Sequence, residues 1–269
     1  MTNKNYICTT CGVQYEAAPA PPDCCVICEE ERQYVNPQGQ AWVTQADLGK
    51  DHHNLISGVA PGLWQIHTEP PFGIGQRAFI VQTPTGNILW DCISYLDDDT
   101  KARVNALGGL QAIAISHPHF YSAMVDWSLA FGGVPVYLHQ SDQTWVQRPG
   151  LALHFWDART LELGEDLTII RTGGHFPGSC VLHWRAGAGG RGLLLTGDSV
   201  FVNMDRKSVS FMYSYPNLIP LRREAVEGIR AALAGCAAEQ IYGAFDKYIL
   251  ENGRQVLDRS LERYLQIYS

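Results

Sequence analysis

Two histidines one residue apart, in His117-Pro118-His119, follow the short apolar run Ile113-Ala114-Ile115. At that spacing on an extended backbone both imidazoles project to the same side, so one cation could accept both. Taken alone, the pair equally suits a polar loop after a strand. The same arrangement recurs twice downstream. A β-branched run ending at Arg171 leads through Gly173-Gly174, which allow a tight turn, to His175. The apolar strand Leu193 to Leu195 leads through Thr196-Gly197 to Asp198. Four metal-competent side chains are therefore each delivered just beyond an apolar strand, where α/β folds tend to place sites.

Five cysteines fall in the first 28 residues, as Cys8-x-x-Cys11-Gly and Cys24-Cys25-x-x-Cys28. Two Cys-x-x-Cys pairs joined by a short Pro-rich connection each turn the chain so that both sulfurs can face one tetrahedral ion. Cys8, Cys11, Cys25 and Cys28 keep the matched spacing, which leaves Cys24 as the spare. The pattern resembles zinc ribbons and rubredoxins, so the ion is zinc or iron. A module of about 40 residues has too little core to fold unaided, which makes the ion its main stabiliser. We take residues 1–45 as this four-cysteine module with its linker and residues 46–269 as a second, larger domain.

The elements that must position these groups read as an alternation of strands and helices. Leu63 to His67, Ala78 to Val81 and Ile88 to Asp91 suit strands, the last two flanking a hairpin-type turn over Thr83 to Asn87. Thr100 to Leu107 suits a helix closed by Gly108-Gly109, and Leu110 to Ile115 suits the strand before His117. Ala123 to Phe131 reads as a short helix and Val134 to Leu138 as another buried strand. Gln33 to His53 reads as a connection with a short helix near Thr44 to Leu48. Near the end, Leu221, Ala225, Ile229 and Leu233 recur at helical spacing, and Val256 to Tyr268 offers a second amphipathic helix.

In this order and at these separations, His117-Pro-His119, Gly174-His175-Phe-Pro-Gly178 and Gly197-Asp198 resemble the motifs of the metallo-β-lactamase fold superfamily of metallo-hydrolases. The resemblance covers roughly Gly62 to Ser269. It implies an α/β fold, a four-layer αββα sandwich, with a metal site formed by His117, His119, His175 and Asp198. It also exposes departures. The family's Asp and second His, which help hold a second metal, are Tyr121 and Ser122 here, and Phe245 stands where the last histidine belongs, so that all three ligands particular to the second site are lost unless Asp246 substitutes for Phe245. The resemblance therefore implies a reduced, mononuclear site.

Three imidazoles leave a fourth position for water, and zinc so bound lowers the pKa of that water from 15.7 to about 7. Asp198 could ligate the ion or accept the water's proton, and Tyr121 either donates a hydrogen bond to an oxyanion or forms an aromatic wall. Phe176, Tyr213 and Tyr215 are candidate substrate-binding residues. Three functions fit. The first is a hydrolase acting on a small-molecule ester, thioester, lactone or amide. The second is a mononuclear non-haem iron oxygenase served by a rubredoxin-like electron-transfer module. The third is a catalytically silent descendant that binds a ligand or partner.

His52, His53, His67, His139, His154 and His183 match no motif, and Cys92 and Cys180 suit buried thiols. The chain of 269 residues carries a formal net charge of -7, which gives no electrostatic reason to expect nucleic acid or an anionic membrane as partner. No apolar run approaches the roughly 20 residues that span a bilayer, and the N-terminal stretch lacks the apolar core of a signal peptide. A cytoplasmic protein with a small-molecule substrate is the expectation.

Overall fold

A computed structural model describes residues 2–267. Two compact units divide the chain, Met1–Leu138 with Gln143–Phe155, and His139–Asp142 with Trp156–Ser269.

The first unit is built on a seven-stranded sheet whose strands lie side by side in chain order: His53–Ala60, Leu63–Glu69, Ala78–Thr83, Gly86–Trp90, Ala112–Ala114, Val136–His139 and Leu153–Trp156. The first four pair antiparallel, then Gly86–Trp90, Ala112–Ala114 and Val136–His139 run parallel. Parallel strands buried on both faces read as continuous apolar runs. Ala112–Ala114 is such a strand, buried at every residue. The helix Asp98–Ala106 starts where Asp97 accepts the backbone N–H of Thr100 at 2.7 Å. Met124–Ala130 forms the helix after the histidine pair, anchored by Trp127, fully buried and donating from its indole to the Ile93 carbonyl at 3.1 Å.

Three expectations shift. The strand before His117 is shorter than Leu110 to Ile115, because Gly108 and Gly109 hold positive φ and the chain still bends at Gln111. The strand His53–Ala60 begins where the expected connection ends, in residues to which the sequence assigned no element; its alternation is visible only over Asn54 and Ile56, which are buried between exposed neighbours. The third concerns Pro118–Phe120, which form a 3₁₀ turn rather than an extended strand end, with Pro118 supplying its fixed φ at the first position.

Within the same unit the cysteine-rich segment folds around its own small core of Val13, Tyr15 and Ile27, with Trp42 and Trp145 against it. Ile7–Cys8 pairs antiparallel with Trp42–Val43. Gln45–Leu48 is the expected short helix, opened by a reciprocal capping box between Thr44 and Asp47.

The second unit holds a six-stranded sheet in the order Thr160–Gly164, Leu167–Arg171, Cys180–Trp184, Leu193–Leu195, Gln240–Tyr242, Tyr248–Ile249. Its core gathers Val181, Leu194, Phe211 and Ile241 from the strand side with Ile229, Leu233, Leu257 and Leu261 from the helices Arg223–Leu233 and Gly253–Ile267. Tyr268, the end of the expected last helix, lies outside the described residues. Among the described residues, no helix is long and apolar enough to cross a membrane.

Candidate metal centre

His117 is held in extended conformation at the end of its strand, and its ring Nδ1 lies 2.9 Å from Ser116 Oγ. Ser116 in turn donates its backbone N–H to the Asp91 carboxylate at 2.7 Å. Asp91 sits at the end of the neighbouring parallel strand in the left-handed region, φ 61. With Nδ1 engaged, His117 presents Nε2 as its ligand atom. The 3₁₀ turn places the His119 ring edge-on to His117, centroids 5.1 Å apart.

In the second unit, Gly174 brings His175 forward. Its φ is +87, a conformation that side-chain-bearing residues rarely adopt, and a Cβ there would also crowd Leu221 Cδ1 at 2.9 Å, so the position favours glycine. His175 Nδ1 lies 3.2 Å from the Met212 carbonyl, an acceptor, which assigns the proton to Nδ1 and the lone pair to Nε2. That Nε2 is 4.0 Å from Asp198 Oδ2. The loop around His175 is itself pinned. Phe176 N–H donates to Ser179 Oγ at 2.8 Å, and Gly178 N–H donates to the buried Asp142 carboxylate at 2.8 Å.

All four candidate ligands are buried, His117 and His119 in the first unit and His175 and Asp198 in the second. Cys8, Cys11, Cys25 and Cys28, all buried in the first unit, form a group whose Sγ atoms lie within 4.8 Å of one another. Its Sγ···Sγ separations of 3.6 Å, Cys8 to Cys28 and Cys11 to Cys25, are far too long for a disulfide. They match the edge of about 3.8 Å of a tetrahedron with metal–sulfur bonds of ~2.3 Å. Hydrogen bonding from Cys11 pulls the thiols of Cys8 and Cys25 down, while burial pushes Cys11 up. Four sulfurs crowded this closely suit a dication. Tyr15 Oη lies 3.3 Å from Cys25 Sγ and Gln40 Nε2 lies 3.2 Å from Cys8 Sγ, which gives two of the sulfurs a polar donor.

The aromatic candidates separate. Tyr215 lies 5.7 Å from the His175 ring and donates its hydroxyl to the Asp198 carbonyl at 2.8 Å. Burial, and then the Asp198 charge, push its phenol well above the ordinary range, so it stays a donor. Phe176 stands edge-on to His175 at 5.2 Å and is buried. Tyr213 is half-buried against the core of its own unit. Tyr121 and Ser122 are buried beyond the histidine pair, Ser122 in the left-handed region at φ 42 with its Oγ accepting from Gln76 Nε2 at 2.8 Å. Phe245 packs 5.9 Å from Phe201, with the Lys247 ammonium over both rings at 5.9 and 5.1 Å. Asp246 is exposed.

The remaining histidines have other partners. His67 lies between Glu69 and Arg77, and His183 donates to the Ala237 carbonyl at 2.8 Å. Cys180 is buried with its Sγ 3.0 Å from the Gly178 carbonyl. The residues that sequence reasoning missed are Ser116, Asp91, Met212 through its carbonyl, and Asp142. Only the Ser116–His117 adjacency left a trace in the sequence.

No protein-family model matches the chain. Its fold is shared with solved metallo-β-lactamases at low identity. DIM-1 aligns with a TM-score of 0.59 at 13% identity, over 81% of this chain and 99% of that one. FIM-1 from Pseudomonas aeruginosa, in its mono-zinc form, aligns with a TM-score of 0.56 at 17% identity, over 80% and 98%. An enzyme from Hirschia baltica aligns with a TM-score of 0.53 at 18% identity, over 78% and 96%. By sequence the chain is 48% identical over 263 residues to the uncharacterized protein YmaE of Bacillus subtilis (strain 168), covering 97% of this chain and 96% of that protein. With near-complete coverage in both directions, the chain belongs to one family with YmaE, and its fold is that of the metallo-β-lactamases.

Proposed function

We propose that the chain is a hydrolase that uses one metal ion, zinc, at His117, His119, His175 and Asp198, and acts on a small-molecule ester, thioester, lactone or amide. The carrying observation is two buried pairs of metal-competent side chains, His117 and His119 with rings 5.1 Å apart in the first unit and His175 and Asp198 with Nε2 and Oδ2 4.0 Å apart in the second. Zinc held there supplies a water with its pKa lowered to about 7, a hydroxide source at neutral pH. The chain's own groups do the rest. Ser116 and the Met212 carbonyl hold the His117 and His175 rings, so that the reacting geometry does not wait on side-chain rotation. The Asp198 carboxylate, 4.0 Å from His175 Nε2, would either complete the ligand set or take a proton from an attacking water and return it to a leaving oxygen, nitrogen or sulfur. Tyr121 would donate to the oxyanion that forms.

The single-ion reading draws support from Tyr121, Ser122 and Phe245. A tyrosine and a phenylalanine offer no ordinary metal ligand, and the Ser122 hydroxyl is engaged with Gln76. FIM-1 in its mono-zinc form is a protein of this fold with a single zinc. The test is turnover across an esterase, thioesterase, lactonase and amidase panel. Activity lost in His119→Ala and in Asp198→Asn supports the reading; activity that survives His119→Ala, or a panel without turnover by metal-replete protein, refutes it.

A further inference from the structure

The backbone of the four-cysteine knuckle is hydrogen-bonded directly to the loop that carries the histidine pair. The knuckle closes through Gly12 N–H to the Cys8 carbonyl at 2.9 Å and Cys8 N–H to the Val13 carbonyl at 3.0 Å. The next residue, Gln14, donates its backbone N–H to the Ser122 carbonyl at 3.0 Å. Ser122 lies three residues past His119 and is held at φ 42, a conformation costly for a residue with a side chain. Three further ties surround this one. Ser94 Oγ donates to the Gly12 carbonyl at 2.7 Å. The Gln14 side chain donates to Asp126 at 2.7 Å and accepts from Arg148, which also pairs with Asp126 at 2.6 Å. Glu16 N–H donates to the Gln147 carbonyl at 3.1 Å. The approach is tight, since a Cβ on Gly73 would meet the backbone of Cys11 and Gly12 at 3.2 to 3.3 Å.

We propose that the four-cysteine knuckle is the positioning element of the His117–His119 loop. Through Gln14 N–H on the Ser122 carbonyl, it holds the left-handed turn that fixes where His119 points. The four-cysteine site thereby sets how tightly the histidine site binds its metal. A zinc-ribbon module added only for its own stability would not need its knuckle backbone bonded to the residue after the metal loop, nor a partly buried Gln14–Asp126–Arg148 network reaching the helix that follows. Gln14 acts through Ser122 and touches no reacting atom, so it is a positioning residue. The inference rests on the histidine group being a metal centre.

Cobalt(II) reads the two sites separately in the full chain, because thiolate ligation adds intense charge-transfer absorption that imidazole and carboxylate ligation lacks. Metal-stripped protein is titrated with cobalt alone. Gln14→Pro keeps all four thiols and deletes the backbone N–H donor together with the side-chain bonds to Asp126 and Arg148; Ser94→Ala releases the Gly12 carbonyl. In Gln14→Pro the thiolate bands are expected to persist, while the cobalt affinity of the histidine site falls at least about tenfold, the worth of the lost Gln14–Ser122 hydrogen bond alone, and its ligand-field spectrum shifts. Ser94→Ala is expected to weaken that site about threefold. If Gln14→Pro fails to fold, Ser94→Ala decides. Affinity within about twofold of the parent, with an unchanged ligand-field spectrum in every folded variant, overturns the proposal. His117→Ala separates the two levels: if it leaves the non-thiolate cobalt component intact, the metal-centre reading has failed rather than the coupling.

Discussion

His117 and His175 are prepared in the same way, each with Nδ1 against a fixed oxygen and Nε2 left for a ligand. A serine hydroxyl serves one and a backbone carbonyl the other. Outer partners of this kind typically account for 10–100-fold in metal affinity, so Ser116→Ala is predicted to bind metal at the histidine site roughly 10–100-fold more weakly with the fold unchanged. Competition with a chelator of known affinity measures this, and an unchanged affinity would assign Ser116 no part in orienting the ring. At this scale the sequence was informative about ligands and silent about their supports. A metal restricts ligand types sharply, so His-x-His and Cys-x-x-Cys stand out at short spacing. Asp91 reaches Ser116 across 25 residues and Asp142 reaches Gly178 across 36, separations that only the folded sheet closes.

The elements that carry the histidines are short and take their stability from packing. Ala112–Ala114 has three residues and Met124–Ala130 seven, so neither would persist alone. Trp127 ties the helix down by a fully buried indole bonded to the Ile93 carbonyl and stacked 6.1 Å from Phe131. Trp127→Ala is predicted to cost ~3–5 kcal/mol of unfolding free energy in a denaturant titration, from the cavity and the orphaned carbonyl. A loss under about 1 kcal/mol would mean the helix does not anchor the loop. The strands ending at Trp90 and Leu195 and the helix closed by Gly108-Gly109 were legible, because apolar runs and Gly-Gly stops are local signals, while the start of that helix at Asp98 under the Asp97 cap, two residues before the expected Thr100, was not. The 3₁₀ turn at Pro118–Phe120 was not, since a lone proline permits extended and turn geometry alike. Phe211, which by residue type suits a cleft wall as well as a core, lies fully buried in the core of its unit, a distinction between two apolar environments that residue type cannot make.

Across the whole molecule, buried neutral histidines set a pH limit. Burial holds His139 and His183 below their ordinary 6.5, so the unfolded chain takes up these protons first. Their contribution is intact above pH 6.5 and is lost as pH falls from there toward their lower folded values. Unfolding free energy is therefore predicted to drop on going from about pH 7 to about pH 5. His183→Gln, whose amide can still donate to the Ala237 carbonyl, is predicted to flatten that slope. A slope identical to the parent's would remove His183 from the account.

The central claim is that three histidines and one aspartate hold a single ion beside a separate four-cysteine ion. Metal content per chain, measured on protein purified without added metal, tests it most directly. The parent is predicted to carry two ions, and His117→Ala and His175→Ala one each, the remaining ion staying with the cysteines. Three ions in the parent, or an unchanged content in both variants, would contradict the claim.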